Sequence, residues 1–413
     1  MNPPDLIPGG WQRTGFRLLL ALTCVALIAC QTPWQHEVGQ PARTPTAPTP
    51  LGFDEAIFKA ASDLLRTTQL APARGPRQVL LIDPPVDGVT GSQSAATRSM
   101  EQKIVNLVRR DHPQLAVQTF NASNLAGQPL VLVGTLTPIN DRSGQPGGER
   151  DAFRVCLALA DLKTGRVIGK SVARARPDGV QTTPLPFDAD SPAWTRDPAI
   201  DAYIRTCQGS QAGDPINPVY TARIMAAALL NDAGNAYNRR RYQEALELYR
   251  RALDTAGGDQ LRAHNGAYLS AWKLKRRDEA TQAFARLVDY GLANRQLALK
   301  FLFRPGSAQF ITEGQISGPY PLWLNQIARR TVENRACLEI VGHTSRSSDE
   351  PTNQRLSVQR AQAIKDRLDG AEPQLGKRTL ASGVGSRDNL VGTGTDDAGD
   401  ALDRRVEFRV RDC

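Results

Sequence analysis

The residues best suited to chemistry in this chain of 413 residues lie near its C-terminus. Residues 342–345, Gly-His-Thr-Ser, predict the end of a strand and a loop, and the residues after them predict a helix. Asn353, Leu356, Ser357 and Arg360 lie three, four and seven residues apart, so one helix face carries all four within two turns. An arginine fork holds a carboxylate by two parallel hydrogen bonds. This stretch therefore predicts a strand–loop–helix pocket for a carboxylate.

Four segments together resemble the OmpA-like peptidoglycan-binding domain. They are Phe303–Ala308, Leu338–Thr344, the helix that contains Asn353–Ala361, and Asp403–Phe408. The resemblance implies a βαβαββ domain over residues 298–413. It also implies a ligand, the diaminopimelate of the wall stem peptide, whose zwitterionic end is clamped by a loop carboxylate and a helix arginine. Arg360 matches that arginine, and Ser345 stands where the carboxylate is expected.

Serine at position 345 leaves the ammonium of the ligand without its matched charge. Ser345 still accepts a hydrogen bond, and Asp349 follows it in the same loop. Because loss of one partner of a desolvated charge pair costs about 2–5 kcal/mol, we expect wall binding that is weaker or altered. In the alternative interpretation, Arg360 pairs with a carboxylate of the domain itself. The ligand-binding set implied by the resemblance consists of Thr344, Ser345, Asp349, Asn353, Arg360 and Arg404.

The N-terminus predicts export. Arg13 and Arg17 precede the apolar run Leu18–Ala29, which is shorter than the roughly 20 residues needed to span a bilayer and is typical of a secretory signal. The run ends in Leu-Ile-Ala-Cys, which resembles a bacterial lipobox and implies a lipidated Cys30. The residue after Cys30 is Gln31 and not aspartate. By resemblance to the sorting rules of such lipoproteins, this favours transport to the outer membrane over retention at the inner membrane. The alternative is an ordinary signal peptide with an incidental cysteine.

Composition then divides the chain after the signal peptide, residues 1–29. Residues 30–50 are rich in Pro, Thr, Ala and Gln and predict a disordered tether. Residues 51–210 alternate helical and strand patterns and predict a small α/β domain, with residues 176–218 mostly loop. This domain loosely resembles the CsgG-like and penicillin-binding-protein-activator lipoproteins; an unrelated spacer domain is the alternative. The resemblance rests on Leu81–Asp83, Gly134-Thr135 and Asp161–Gly165.

Residues 215–297 contain an internal repeat with an offset of 35 residues. The first copy has Tyr237, Ala245, Tyr249, Ala252 and Leu253, and the second has Trp272, Ala280, Phe284, Leu287 and Val288. A period near 34 with this pattern resembles tetratricopeptide repeats. We expect flanking helices at Pro218–Leu230 and Leu292–Phe301 to cap the pair. The repeats predict either a groove for a partner peptide or a rigid spacer.

The cysteines predict two disulfides. The chain has six, of which Cys24 leaves with the signal and Cys30 is expected to carry lipid. Cys337 precedes a predicted strand and Cys413 ends another, so an antiparallel pairing of those strands would favour a Cys337–Cys413 bridge and leave Cys156–Cys207 as the other. The spacing of these cysteines and the presence of four histidines do not indicate a metal site.

The sequence thus predicts a multidomain α+β protein with an α/β domain, a helical repeat pair and an OmpA-like domain. Its net charge of +9 suits anionic wall polymers, and export argues against nucleic acid as a partner. The chain has no catalytic motif of the hydrolase or zinc-protease kind, so we expect neither an enzyme nor a cofactor.

The predicted function is that of an outer-membrane lipoprotein that faces the periplasm. It would bind the peptidoglycan stem peptide, tether the membrane to the wall and engage an envelope protein through residues 51–297. The alternative is a scaffold or regulatory subunit of a wall synthase, a secretion system or a flagellar assembly. In that case wall binding would serve only to position the machine.

Overall fold

A computed structural model describes most of the chain after the predicted tether. The described residues are 49–70, 76–146, 150–194, 196–295, 297–304, 306–312, 318–390 and 403–413. They belong to one compact unit, Ala47–Cys413. The predicted signal peptide, the lipidation site Cys30 and nearly all of the tether lie outside the described residues. Within the described ranges, no helix has the length and the hydropathy needed to cross a membrane.

The N-terminal part is a mixed sheet covered by helices. Its elements are α1 (Phe53–Thr67), β1 (Gln78–Ile82), β2 (Val86–Asp87), α2 (Ala95–Asp111), β3 (Leu115–Gln118), α3 (Ala122–Leu125), β4 (Leu130–Ile139), β5 (Ala152–Asp161) and β6 (Arg166–Ala175). The strand order is β3-β1-β4-β5-β6, with β2 beside β4. Strands β1, β3 and β4 are parallel, whereas β4, β5 and β6 are antiparallel. The apolar stripes of α1 and α2 pack on one face.

The other face of this sheet is covered by a helix where the sequence predicted loop. Residues 176–218 are mostly loop, as predicted, but they also contain α4 (Pro186–Asp190) and α5 (Pro198–Gln208), which the sequence analysis did not predict. The reason is that the Pro and Asp residues of this segment start helices. Asp197 accepts hydrogen bonds from the backbone N–H groups of Ala199 and Ile200, and Pro198 is the first helical residue. Apolar residues of α5 then bury against the sheet.

The repeat region consists of α6 (Pro218–Asn238), α7 (Tyr242–Leu253), α8 (Leu261–Lys273) and α9 (Arg277–Ala293). Consecutive helices pack against one another. The expected capping helix Pro218–Leu230 is not a separate helix, because it forms the first part of α6. The expected cap Leu292–Phe301 is wrong, because α9 ends at Ala293 and a strand follows. Leu297 and Leu299 of that strand are buried, which accounts for its apolar pattern.

The C-terminal part is a second sheet with two helices. Its elements are β7 (Leu297–Lys300), α10 (Tyr320–Glu333), β8 (Cys337–Gly342), α11 (Glu350–Ala371), a 3₁₀ turn (Pro373–Lys377), β9 (Thr379–Gly383) and β10 (Arg405–Arg411). The strand order is β7-β10-β8-β9. β10 is antiparallel to both neighbours, and β8 and β9 are parallel. The first strand therefore lies at 297–300 and not at Phe303, which only forms an isolated bridge with Phe310.

The repeat helices and the C-terminal sheet share one apolar core. Trp323 of α10 stacks on Phe284 of α9, with ring centroids 5.7 Å apart, and Phe301 meets the same tryptophan edge-on. Trp323 also donates a hydrogen bond from Nε1 to the Tyr268 hydroxyl of α8 at 2.7 Å. The described residues thus form a mixed α and β protein with two sheets, in which the second sheet and the repeats are packed as one body.

The two expected cysteine pairs differ in the structure. β8 and β10 run antiparallel, and a disulfide joins Cys337 to Cys413. Cys156 and Cys207, predicted as the second bridge, are buried thiols whose sulfur atoms lie 2.6 Å apart. The Cys156 thiol donates to the Cys207 carbonyl oxygen at 3.0 Å, and the Cys207 thiol faces the Cys156 sulfur. Each thiol proton therefore has an acceptor without a bond between the sulfur atoms.

Candidate functional site

Two glycines allow α11 to lie directly on the ends of β8 and β9. A Cβ atom at Gly342 would stand 2.1 Å from the Ser357 carbonyl oxygen. A Cβ atom at Gly383 would stand 2.5 Å from the Val358 backbone nitrogen. Only glycine fits such an approach of helix to strand. The contact turns the helix face of Ser357 and Arg360 toward the protein, and both side chains are buried.

The loop between β8 and α11 is held by two of the predicted site residues. Asp349 caps α11 by accepting a hydrogen bond from the Thr352 backbone N–H at 2.7 Å, and this interaction with Thr352 lowers the pKa of the Asp349 carboxyl. Asn353 is buried and donates from Nδ2 to the Ser348 carbonyl oxygen at 2.8 Å. Both side chains therefore act on the loop backbone, and Asp349 is exposed at its edge.

Thr344 is tied to the helix through a neighbouring turn. The Ser357 hydroxyl accepts from the Gly385 backbone N–H at 3.0 Å, and the Gly385 carbonyl oxygen accepts from the Thr344 backbone N–H at 3.0 Å. Asn389 donates to the Thr344 carbonyl oxygen at 2.9 Å. The Thr344 hydroxyl, in contrast, is buried without a hydrogen-bond partner. Ser345 is also buried, with its hydroxyl 3.3 Å from that of Ser347.

Arg360 faces the segment that follows β7. Its Nε donates to the Ser307 carbonyl oxygen at 3.2 Å, and its guanidinium carbon lies 4.9 Å from the centroid of the Phe303 ring. This is cation–π geometry, which is strengthened by desolvation. Arg360 is 3% exposed and does not line the cleft between the two sheets. Arg360 and Asn353 thus lie on the same face of α11, where Arg360 contacts the segment after β7 and Asn353 contacts the loop between β8 and α11.

Arg404 lies elsewhere. It is half-buried and lines a cleft between the two sheets, together with Arg150 and Leu390. The next residue, Arg405, is the one buried at the edge of the Arg360 region, where its Nη1 donates to the Asp388 carbonyl oxygen at 3.2 Å. The sequence analysis did not single out Arg405. Neighbouring side chains of a strand point to opposite faces, and this alternation was the signal that could have shown that Arg404 and Arg405 face different surroundings.

Arg405 binds a carboxylate of its own strand. Its Nε and Nη2 donate to Glu407 Oε1 at 2.9 and 2.6 Å. Burial alone would raise the pKa of Glu407, but His343 and the charge of Arg405 outweigh it and hold the pKa well below its usual range. His343 Nε2 lies 3.4 Å from the same oxygen, and this contact contributes to the low pKa of Glu407. Burial lowers the pKa of His343, which keeps the ring neutral.

The arrangement offers donors rather than a reactive pair. A buried guanidinium and a buried hydroxyl are suited to hold a carboxylate in a poorly solvated place, where charge-assisted hydrogen bonds are strong. In the part of the chain that the structure describes, no group of three His, Cys, Asp or Glu side chains is placed to hold a metal ion.

No family model matches this chain, and no curated protein matches it. Several solved structures share a partial likeness with this chain. The peptidoglycan-associated lipoprotein from Burkholderia pseudomallei is 23% identical, with 29% of this chain and 92% of that chain covered and a TM-score of 0.23. The cell wall anchor of the T6SS from Pseudomonas aeruginosa is 28% identical, with 31% and 95% covered and a TM-score of 0.24.

The OmpA-like domain of FopA1 from Francisella tularensis is 21% identical, with 29% of this chain and 76% of that chain covered and a TM-score of 0.21. These scores are low, and each likeness covers less than a third of the chain.

Proposed function

We propose that this protein is an outer-membrane lipoprotein that binds peptidoglycan without a covalent bond and tethers the membrane to the wall. Lipid on Cys30 would hold the membrane, and Arg360 would bind the carboxylate of diaminopimelate in the stem peptide. The observation that carries the proposal is the position of Arg360 on the α11 face that also bears Asn353 and Ser357, where the Ser357 hydroxyl is linked through Gly385 to the loop of Thr344.

The chemistry of the loop supports a carboxylate ligand. The Thr344 hydroxyl is buried without a partner, and a buried unpaired polar group is unfavourable unless a ligand or water satisfies it. A hydroxyl can donate to a carboxylate oxygen, so Thr344 would supply a further donor to a ligand bound by Arg360. Ser345, in the same loop, is placed to accept from the ammonium of the ligand but brings no charge, so we expect moderate affinity.

Two moderate attachments suffice for a tether. Each buried methylene of a lipid chain contributes about 0.8 kcal/mol to membrane anchoring, so several chains hold the protein stably. Once one end is attached, the other end meets its target at a high effective concentration. Wall binding of modest strength is therefore enough to hold the membrane and the wall together.

Co-sedimentation of the lipid-free mature chain with purified sacculi tests the proposal. Arg360→Ala is expected to weaken binding about tenfold or more, because it removes a charge-assisted contact worth about 1.5–3 kcal/mol. Arg360→Gln keeps more of the packing on Phe303 and is expected to weaken binding similarly. The matched control is Arg355→Ala, which removes an exposed charge from the same helix. Equal sedimentation of all four proteins would contradict wall binding through Arg360.

A second candidate function is that of a scaffold or regulatory subunit of an envelope machine. One observation favours it, namely the large cleft between the N-terminal sheet and the rest of the molecule. Deleting residues 51–290 would not test it cleanly, because the repeats share their core with the C-terminal sheet. Point variants in the cleft are the better test.

A further inference from the structure

A cleft of about 440 Å³ opens where the N-terminal sheet, the repeat helices and the C-terminal sheet meet. One wall comes from α4 and the loop after β2, and the other from α8, β7 and the start of α10. Its volume lies in the range of about 300–1,000 Å³ that is typical of ligand sites, which often lie at domain junctions. The Arg360 site does not reach it, so a ligand in the cleft would be additional to wall peptide.

Lys300 and Asp188 present a donor and an acceptor at one end of the cleft. Lys300 Nζ donates to the backbone carbonyl oxygens of Asp188 and Ala189, at 3.1 and 3.0 Å. An ammonium has three donors, so one N–H remains. The Asp188 carboxylate is bonded by the Gln93 backbone N–H, while its Oδ2 is buried without a partner. The Lys300 ammonium is thus held by the backbone of Asp188 and Ala189, and the buried Oδ2 of Asp188 has no hydrogen-bond partner.

Burial acts on both groups in the sense that favours their neutral forms. It raises the pKa of Asp188 and lowers the pKa of Lys300 to about 8. Groups perturbed in this way next to a cavity are typical of functional sites. A ligand that donates to Asp188 and accepts from Lys300 would relieve the unfavourable burial of both.

The rest of the cleft is mainly apolar. Phe153, Leu302 and the half-buried ring of Trp272 contribute to its lining. The opposite charges of the rim are engaged with each other, since Lys273 forms an ion pair with Asp190 at 2.8 Å. Because Asp87, Asp188 and Asp190 are mixed with the basic groups, the cleft is poorly suited to a polyanion.

We infer that this cleft binds a peptide segment of a partner protein. A main-chain carbonyl of the peptide accepts from Lys300, a main-chain N–H donates to Asp188 Oδ2, and an apolar side chain packs against Trp272 and Leu302. Every peptide unit carries one donor and one acceptor, which is the pair of groups that Lys300 and Asp188 leave unmatched. The inference rests on the second candidate function, in which this protein is a scaffold or regulatory subunit of an envelope machine.

A library of random dodecapeptides displayed on phage is the probe. The lipid-free mature chain is the bait, and Ala189→Trp is the blocked variant, because Ala189 is exposed on the cleft wall and a tryptophan there fills the space. Peptides are expected to be enriched on the wild type and not on Ala189→Trp. The control is Glu55→Trp, an exposed position on α1 outside the cleft lining, which should select the same peptides as the wild type.

An enriched peptide is then synthesised with a fluorophore, and its affinity is measured by anisotropy. In Asp188→Asn, the amide oxygen can still accept from the Gln93 backbone N–H, but an NH₂ group replaces the acceptor Oδ2. Affinity should therefore fall about tenfold or more. Asp178→Asn, an exposed carboxylate, should leave affinity unchanged. Circular dichroism melts check that every variant is folded.

Failure to enrich any peptide would overturn the inference, and so would peptides that bind Ala189→Trp and Asp188→Asn as tightly as the wild type. Sacculus binding separates this result from the proposed wall function. Cleft variants should sediment with sacculi like the wild type, and Arg360→Ala should bind the peptide normally. Loss of sacculus binding in the cleft variants would contradict two separate sites.

Discussion

The C-terminal site and the junction between the N-terminal sheet and the rest of the molecule, which contains Asp83 and Lys300, both bury charged side chains. The pKa shifts favour the charged form of the buried carboxyl in the first region and the neutral forms of both groups in the second. In the C-terminal part, Arg405 grips Glu407 and the pKa of that carboxyl stays well below its usual range. At the junction, burial raises the pKa of Asp83 to about 7 and lowers that of Lys300 to about 8. The first region keeps its charges because they are paired, and the second shifts them toward neutrality because pairing is incomplete.

This difference separates a built site from an adaptable junction. Paired charges fix geometry, which suits a site that must hold one small anionic group in a set position. Incompletely paired groups leave donors and acceptors for something else, and the cleft beside Asp188 and Lys300 is where they lie. The comparison agrees with the proposed wall binding by the first region and the inferred partner binding by the second.

The largest expected effect is the destabilisation of the C-terminal region by a substitution at Gly342. Gly342→Ala places a methyl group 2.1 Å from the Ser357 carbonyl oxygen, so α11 must move off the sheet. We expect a loss of about 3 kcal/mol in the free energy of unfolding, together with loss of sacculus binding. Urea unfolding followed by tryptophan fluorescence measures the first effect. Gly370→Ala, at a position on the same helix with open space, should instead add about 0.5–1 kcal/mol. Equal stability of the two variants would rule out the tight approach.

A pH dependence sharpens the contrast at the junction. Asp83 accepts a hydrogen bond from the Tyr220 hydroxyl at 2.7 Å, and Arg262 and Glu101 also act on its charge. Because its folded pKa of about 7 exceeds the unfolded value of about 3.9, its contribution to stability is full below about pH 3.9 and is lost as pH rises to 7. We expect Asp83→Asn to gain a few kcal/mol over the wild type at pH 8 and little at pH 4.

Thermal melts of the wild type and Asp83→Asn across this pH range measure the effect. Asp278→Asn, an exposed carboxylate on α9, serves as the control and should follow the wild type at every pH. Parallel curves for the wild type and Asp83→Asn would show that the junction does not hold a neutralised acid.

The smallest expected effect adds a charge to the C-terminal region. Ser345→Asp restores a carboxylate for the ammonium of diaminopimelate, and sacculus binding should rise about tenfold. Ser347→Asp places the same charge at an exposed position of the same loop and should change binding little. A gain that is equal in both variants would indicate general attraction to the wall instead of a defined ammonium position.

Local signals made the C-terminal site predictable. Gly342, the helix face of Asn353, Ser357 and Arg360, and the order of strands and helices all follow from patterns within a few residues. The Cys337–Cys413 bridge joins residues far apart in the chain, but each stands at the end of a recognisable strand.

Local sequence signals could not predict the contacts at the junction. Lys300 contacts the carbonyl oxygen of Asp188 across 112 positions of the chain, so sequence spacing gives no hint of their meeting. The helices α4 and α5 were missed because proline and aspartate mark both loops and helix starts, and only burial against the sheet decides between them. The strand β7 was taken for a helix because a short apolar run fits either structure until its partner, β10, is known.

The central claim is that Arg360 binds the diaminopimelate carboxylate, and calorimetric titration tests it most directly. The mature chain is titrated with a stem tripeptide that contains meso-diaminopimelate, and Arg360→Gln is titrated in parallel. We predict saturable one-to-one binding by the wild type that weakens at least tenfold in the variant. Absence of binding to the wild type, or equal affinity in the two proteins, would contradict the account.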